Sequence, residues 1–173
     1  IRSVPREDGA DMTPAARVQV AMDIVDAIAD GTAAERALTN WARGARYAGS
    51  KDRAAVRDLV YDCLRCWRSS AVRGGGTSGR ARLLGLLRLQ DQDLDPLFDG
   101  SGHGPARLTQ PEAEAGQDPA EPEAWDLPDW LLPEFRDSLG PEAARVAEVL
   151  RHRADVFLRV NTLKAERETA QRV

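Results

Sequence analysis

The stretch VRDLVYDCLRCW, residues 56–67, gives the clearest indication of the fold. Its apolar residues recur at intervals of three and four, the spacing that places side chains on one face of an α-helix. They are Val56, Leu59, Val60, Cys63, Leu64 and Trp67. Gly49 and Ser50 mark the start of this helix. The pattern predicts a long amphipathic helix whose apolar face is buried.

The segments on either side of this helix have the same periodicity and recognisable ends. Thr13 and Pro14 suit the start of a first helix, and Gly31 suits its end. The sequence TAAE at residues 32–35 has the form of a capping box, which predicts a second, short helix that Gly44 closes. After the glycine-rich GGGTSG at residues 74–79, apolar periodicity resumes through residue 89. We therefore predict an all-α helical bundle over residues 12–98, in which residues 94–98 form a single packed turn.

The rest of the chain divides into three further segments. Residues 1–11 predict a disordered or non-native leader. Residues 99–124 are rich in Gly, Pro, Ala and acidic residues, so they predict an acidic flexible linker. Residues 125–173 begin as a helical connector, but DVFLRVN at residues 155–161 alternates as a β-strand does. A single strand is not stable alone, so we expect residues 125–173 to include the truncated start of an α+β domain.

The charge distribution is strongly asymmetric although the net charge is only −4. Residues 12–90 contain 13 Arg and Lys and 7 Asp and Glu, whereas residues 91–150 contain 3 and 15. A basic block favours a polyanionic partner such as nucleic acid. The alternative is a solvated helical surface in an arginine-rich protein.

The basic block contains a cluster of cations beside two aromatic residues. The mixture of positive charge and stacking faces is typical of proteins that bind single-stranded RNA. The aromatic residues are Trp41 and Tyr47, and the cations are Arg43, Arg46, Lys51, Arg53 and Arg57. Two alternatives remain open: a local structural role for Arg53 in the first turn of its helix, and a core position for Trp41.

The glycine-rich loop is a second, weaker candidate. It is not a phosphate-binding loop of nucleotide hydrolases, because Arg80 and Ala81 follow Gly79 where Lys and Ser or Thr are required. Free amides at Thr77 and Ser78, beside Arg80 and Arg82, are nevertheless expected to accommodate one RNA phosphate.

Other classes of site are not indicated. Cys63 and Cys66 lie on or beside the apolar stripe, which favours core packing over a metal site, and only His103 and His152 are present as histidine ligands. No nucleophile with its base, paired carboxylates or dinucleotide fingerprint is evident. With no membrane span and two cysteines, we expect a soluble, cytoplasmic protein that is monomeric and binds no metal or membrane.

Several of these motifs together resemble a known family. The segments TPAAR (13–17), ALTNW (37–41), DRAAVR (52–57), LRCW (64–67) and GRARLLGLLR (79–88) resemble the NusB-like helical domain. The segments LPDWLL (127–132), LRHRA (150–154) and FLRVNTLK (157–164) resemble the connector to the catalytic part in the Sun/RsmB family of ribosomal RNA cytosine-C5 methyltransferases.

The resemblance implies an RNA-binding front end of a methyltransferase that uses S-adenosylmethionine. It also implies a catalytic domain with cysteines in Pro-Cys and Thr-Cys contexts, which Cys63 and Cys66 do not match. The fragment itself is therefore expected to be inactive and to bind no cofactor, with small-subunit ribosomal RNA as its partner. The resemblance assigns RNA contact to Arg17. A stand-alone NusB-like antitermination protein remains the alternative.

Overall fold

The computed structural model describes residues 11–170, and those residues are helical wherever they form regular secondary structure. The predicted leader therefore lies, apart from Asp11, outside the described residues. The helices are α1 (Pro14–Ala29), α2 (Ala34–Gly44), α3 (Ser50–Arg65), α4 (Trp67–Gly74), α5 (Gly79–Leu89), α6 (Gln110–Glu114), α7 (Leu132–Leu139), α8 (Ala143–Leu150) and α9 (Arg167–Ala170). Short 3₁₀ turns cover Glu123–Trp125 and Gly140–Glu142. The predicted all-α bundle is confirmed.

The ends of α1 and α2 test the predicted caps. The Thr13 hydroxyl accepts the Ala16 amide at 3.1 Å, and Gly31 follows α1 with φ of +97°, so both signals for α1 are confirmed. The predicted capping box of α2 is wrong. Its N-cap is Ala33, which offers no side-chain acceptor, because the helix begins one residue later than the TAAE pattern requires.

The apolar stripe of residues 56–67 does not lie on one continuous helix. The chain turns at Cys66, so Trp67 begins α4 rather than ending α3. Helices α4 and α5 then pack at very close range, because a Cβ at Gly74 or Gly85 would collide with the backbone of the facing helix. The glycines at these two positions therefore permit helix packing.

The main core lies among α1, α3 and α5. Val25, Val56 and Val60 are fully buried, and the predicted leucines of α5 join them. Those leucines are Leu83, Leu84, Leu86 and Leu87. Phe98, at the end of the predicted turn after α5, is only 3% exposed and packs on the same core. The predicted burial of this face and turn is confirmed.

The acidic segment, defined here as residues 99–124, packs against the bundle at several points. Helix α6 begins with a capping box in which Thr109 and Glu112 exchange hydrogen bonds. Composition alone predicted a flexible linker here. Its flexibility stays a prediction, and the segment makes specific contacts with α4 and α5 through Arg73, Arg80 and Arg88.

A second small core follows the acidic segment. Trp125, Leu132, Ala143 and Ala147 bury one another, with Phe135 tilted against the Trp125 ring at 5.9 Å. The buried Asp126 carboxylate joins this part to the bundle, because it accepts the backbone amides of Arg68 and Ser69 at 2.7 and 2.8 Å. Asp126 thus caps the first turn of α4 from a distant part of the chain.

The predicted strand at residues 155–161 is not formed. Within residues 11–170 no segment pairs with these residues, and they form no regular secondary structure. Phe157 and Leu158 are 89% and 86% exposed. Alternation is a local property, whereas a strand also needs a neighbour for its backbone groups, so the predicted α+β character is not supported.

None of the helices in the described part of the chain is both long and apolar enough to span a membrane.

Candidate nucleic-acid interface

The predicted cations fall into two surfaces with different surroundings. We call the first the α2–α3 face and define it by Arg43, Arg46, Lys51 and Arg57, with Tyr47 among them. We call the second the α4–α5 face and define it by Arg73, Arg80, Arg82 and Arg88. The sequence pattern had singled out Arg80 and Arg82 on this second surface.

All four cations of the α2–α3 face are exposed. Arg57 lies 3.6 Å from Asp58, a pair in which both side chains are about half exposed and which therefore contributes little. For Arg43, Arg46 and Lys51, no carboxylate partner lies within 4 Å among residues 11–170. The face therefore presents positive charge that is available to an external anion.

Arg53 borders this face but has a local structural role. Its guanidinium donates to the carbonyl oxygens of Ala48 and Ala45 at 3.0 and 3.1 Å. The alternative of a local structural role for Arg53 is thus supported, because both of its partners are backbone carbonyls of the preceding loop. By closing the loop between α2 and α3, Arg53 fixes the positions of Arg46 and Tyr47.

Arg17 is held beneath the same face by a buried carboxylate. Its guanidinium contacts Asp52 Oδ1 at 2.8 and 2.9 Å, and Asp52 is fully buried. Burial raises the pKa of Asp52, but hydrogen bonds from the Gly49 and Met12 amides and from Arg17 outweigh it, so the pKa lies below its ordinary value. Arg17 therefore joins α1 to the start of α3, a role that the resemblance did not indicate.

Arg82 is part of the core. It is only 7% exposed, its guanidinium lies 3.7 Å from the centre of the Trp67 ring, and it donates to the carbonyls of Thr77 and Trp67. A guanidinium stacked and bonded in this way is not available to an RNA phosphate.

Arg80 and the start of α5 are also occupied from within the chain. Arg80 contacts both carboxylate oxygens of Glu112, at 2.5 and 3.1 Å, and this contact is the main reason that the pKa of Glu112 falls to about 2. The Gly79 amide donates to Asp26 at 2.5 Å. The phosphate position predicted beside Thr77 and Ser78 therefore already faces carboxylates.

Sequence patterns missed the two other arginines of this surface. Arg73 contacts Asp118 at 2.5 Å, and Arg88 donates to backbone carbonyls at the end of α6, including those of Glu112 and Ala115 at 2.7 Å. The acidic segment thus covers the α4–α5 face. The sequence showed that the two blocks carry opposite charge. It did not show which arginines the acidic residues would contact.

The two predicted aromatic residues differ in burial. Trp41 is half-buried and packs against both apolar clusters of the bundle, which supports the core alternative. Tyr47 is 63% exposed and lies beside Arg46. Of these two residues, Tyr47 is therefore the one that offers an exposed ring to a stacking partner.

Both cysteines pack in the core, as predicted. Cys63 is fully buried, and burial raises the pKa of its thiol to about 12, while burial also raises the pKa of Cys66. Across the residues described, no three His, Cys, Asp or Glu side chains come together as a metal site would require.

The glycine-rich loop, residues 74–79, connects α4 to α5 and does not follow a strand. A Cβ at Gly74 or Gly79 would collide with the chain's own backbone, so these glycines face protein rather than a cleft.

Comparisons with protein-family models, with curated proteins and with solved structures returned no match.

Proposed function

We propose that residues 12–98 form a NusB-like RNA-binding module whose α2–α3 face contacts phosphates. The observation that carries the proposal is the exposure of Arg43, Arg46, Lys51 and Arg57 on α2, on α3 and on the loop between them. Within residues 11–170 only Arg57 of these four has a carboxylate within 4 Å, that of Asp58. Neutralisation of phosphates by such cations supplies most of the sequence-independent affinity for RNA.

The wider role rests on the resemblance of the motifs. We assign this module to a ribosomal RNA cytosine-C5 methyltransferase, in which it would hold small-subunit RNA while a catalytic domain outside this chain takes the target base out of its stack. The exposed apolar side chains of Phe157 and Leu158 support this assignment over a stand-alone antitermination protein, because they suit a segment that pairs with a further sheet.

The test is the salt dependence of RNA binding by the full chain. We would measure fluorescence anisotropy with a ribosomal RNA hairpin and with a single strand at several salt concentrations. The double variant Arg46→Ala/Arg57→Ala should bind more weakly, because it neutralises fewer phosphates. The slope of log K against log salt should fall by between about 0.7 and 0.9 for each phosphate that is no longer neutralised.

Arg145→Ala is the control, because it removes a 72% exposed arginine that lies on α8, pairs with Glu142 and does not belong to the α2–α3 face. Circular dichroism must show unchanged helix content, since arginine stems also pack. Equal affinities and equal slopes for wild type, the double variant and the control would overturn the proposal.

A further inference from the structure

A groove of about 470 Å³ lies beside the α2–α3 face. Helix α1 forms one side of it, Tyr47 another, and residues 101–103 close the end. Because Tyr47 directly follows Arg46 in the chain, the groove opens next to the exposed cations.

The floor of the groove is apolar. Met12 and Ala16 line it and belong to a small buried cluster with Ala45 and Ala48, and Val20 extends the same surface. An apolar floor cannot compensate the desolvation of a phosphate, but it suits the face of a flat, uncharged ring.

Tyr47 supplies an aromatic surface at the edge of this floor. Its ring is 63% exposed, and the structure gives its hydroxyl no hydrogen-bond partner within residues 11–170. The other tyrosine, Tyr61, donates to Glu35 at 2.5 Å and is partly buried. Tyr47 is therefore the tyrosine placed to stack on a ligand.

The wall of the groove on α1 presents hydrogen-bond acceptors. Gln19 Nε2 donates to Asp23 Oδ1 at 2.8 Å, one helical turn away. This bond uses an amide donor of Gln19 and leaves the second Asp23 oxygen and the Gln19 carbonyl to accept from a ligand. The carboxylate repels phosphate, whereas it accepts readily from the exocyclic amino group of a base.

We propose that this groove holds one unpaired, amino-bearing nucleobase, such as cytosine or adenine, of an RNA strand whose phosphates lie on the α2–α3 face. The inference rests on the proposed function and adds to it a position at which a base is read. Tyr47 stacks on one face of the nucleobase, Met12 and Ala16 contact its other face, and Asp23 accepts a hydrogen bond from its amino group.

The test compares two strands that share a backbone. We would measure binding of the full chain to a short oligocytidylate and to an abasic oligoribonucleotide of equal length. Tyr47→Ala should weaken oligocytidylate binding roughly five- to a hundredfold and leave the abasic strand unaffected, because stacking requires the base. Tyr47→Phe should retain the affinity, and Asp23→Asn should reduce the preference for oligocytidylate over oligouridylate.

Trp130→Ala is the control, because Trp130 is 73% exposed outside the bundle core and should change neither strand's affinity. Equal losses for both strands with Tyr47→Ala, or no loss for either, would overturn the base-binding groove. If the abasic strand still binds with a slope that depends on Arg46 and Arg57, the proposed function stands while the groove fails. If wild type binds neither strand, both proposals fail.

Discussion

The α2–α3 face and the α4–α5 face are both basic in sequence, but their arginines have different partners. On the α2–α3 face, Arg43 and Arg46 extend into solvent. On the α4–α5 face, Arg82 is buried on Trp67 and Arg80 is paired with Glu112. The difference shows that the number of positive residues does not by itself indicate a binding surface. Only the cations that have no partner within the protein can bind an external anion.

The largest effect should come from the most buried cation of the α4–α5 face. Arg82→Leu removes a desolvated ring contact and the hydrogen bonds that the guanidinium donates to the carbonyls of Trp67 and Thr77. We expect a loss of about 3 kcal/mol in the free energy of unfolding, measured by urea denaturation. A stability close to that of wild type would mean that Arg82 does not stabilise the core. The two faces would then not differ in whether their arginines support the fold.

The next effect should follow from releasing the acidic segment. Arg88→Ala removes donors to four carbonyl oxygens, those of Arg73, Glu112, Ala113 and Ala115. We expect about 2 kcal/mol of destabilisation and faster proteolysis within residues 99–124. Arg88→Lys is the control, because it keeps the charge but loses the fork of donors. Cleavage at the wild-type rate in Arg88→Ala would show that the segment does not depend on this residue.

A smaller effect is expected for the pair of Arg80 and Glu112, and it should depend on pH. The pKa of Glu112 is lowered from about 4.5 to about 2, mainly by Arg80. The stabilisation is therefore fully present above pH 4.5 and is lost as the pH falls towards 2. At neutral pH, Glu112→Gln should cost about 1 kcal/mol, since the pair is partly exposed and screened by solvent.

The same variant sharpens the comparison of the two faces. Glu112→Gln removes the carboxylate that neutralises Arg80 but leaves the hydrogen bonds of Arg80 to the carbonyls of Ala106 and Arg107. RNA binding at neutral pH should therefore strengthen only slightly, and its salt slope should steepen by at most about 0.9. The stability difference from wild type should disappear near pH 2 in acid titration followed by circular dichroism. A difference that persists unchanged at this pH would exclude ionisation of Glu112 as its cause.

The smallest effect on stability should come from the exposed cations. Arg43→Ala and Arg46→Ala should each change the free energy of unfolding by no more than about 0.5 kcal/mol, because neither side chain is buried or paired within the described residues. Thermal and urea denaturation would both detect a larger loss. Such a loss would place these arginines in the fold and weaken the α2–α3 face as a binding surface.

The helices and the main core of the bundle could be predicted from local sequence patterns. Thr13, Pro14 and Gly31 bound α1, and the apolar spacing identified Val56, Val60 and Cys63 as buried. These features are predictable because caps and periodicity depend on residues within a few positions of one another.

Which cations remain exposed depends instead on how distant parts of the chain pack together. Arg17 and Asp52 are 35 positions apart, Arg80 and Glu112 are 32 apart, and Arg82 and Trp67 are 15 apart. Residues 155–161 show the same dependence on distant partners. Their apolar and polar side chains alternate as in a β-strand, but no neighbouring strand pairs with them in the described chain. A long side chain and a strand backbone both take partners that lie far away in sequence, and local patterns carry no information about which partner the fold brings near.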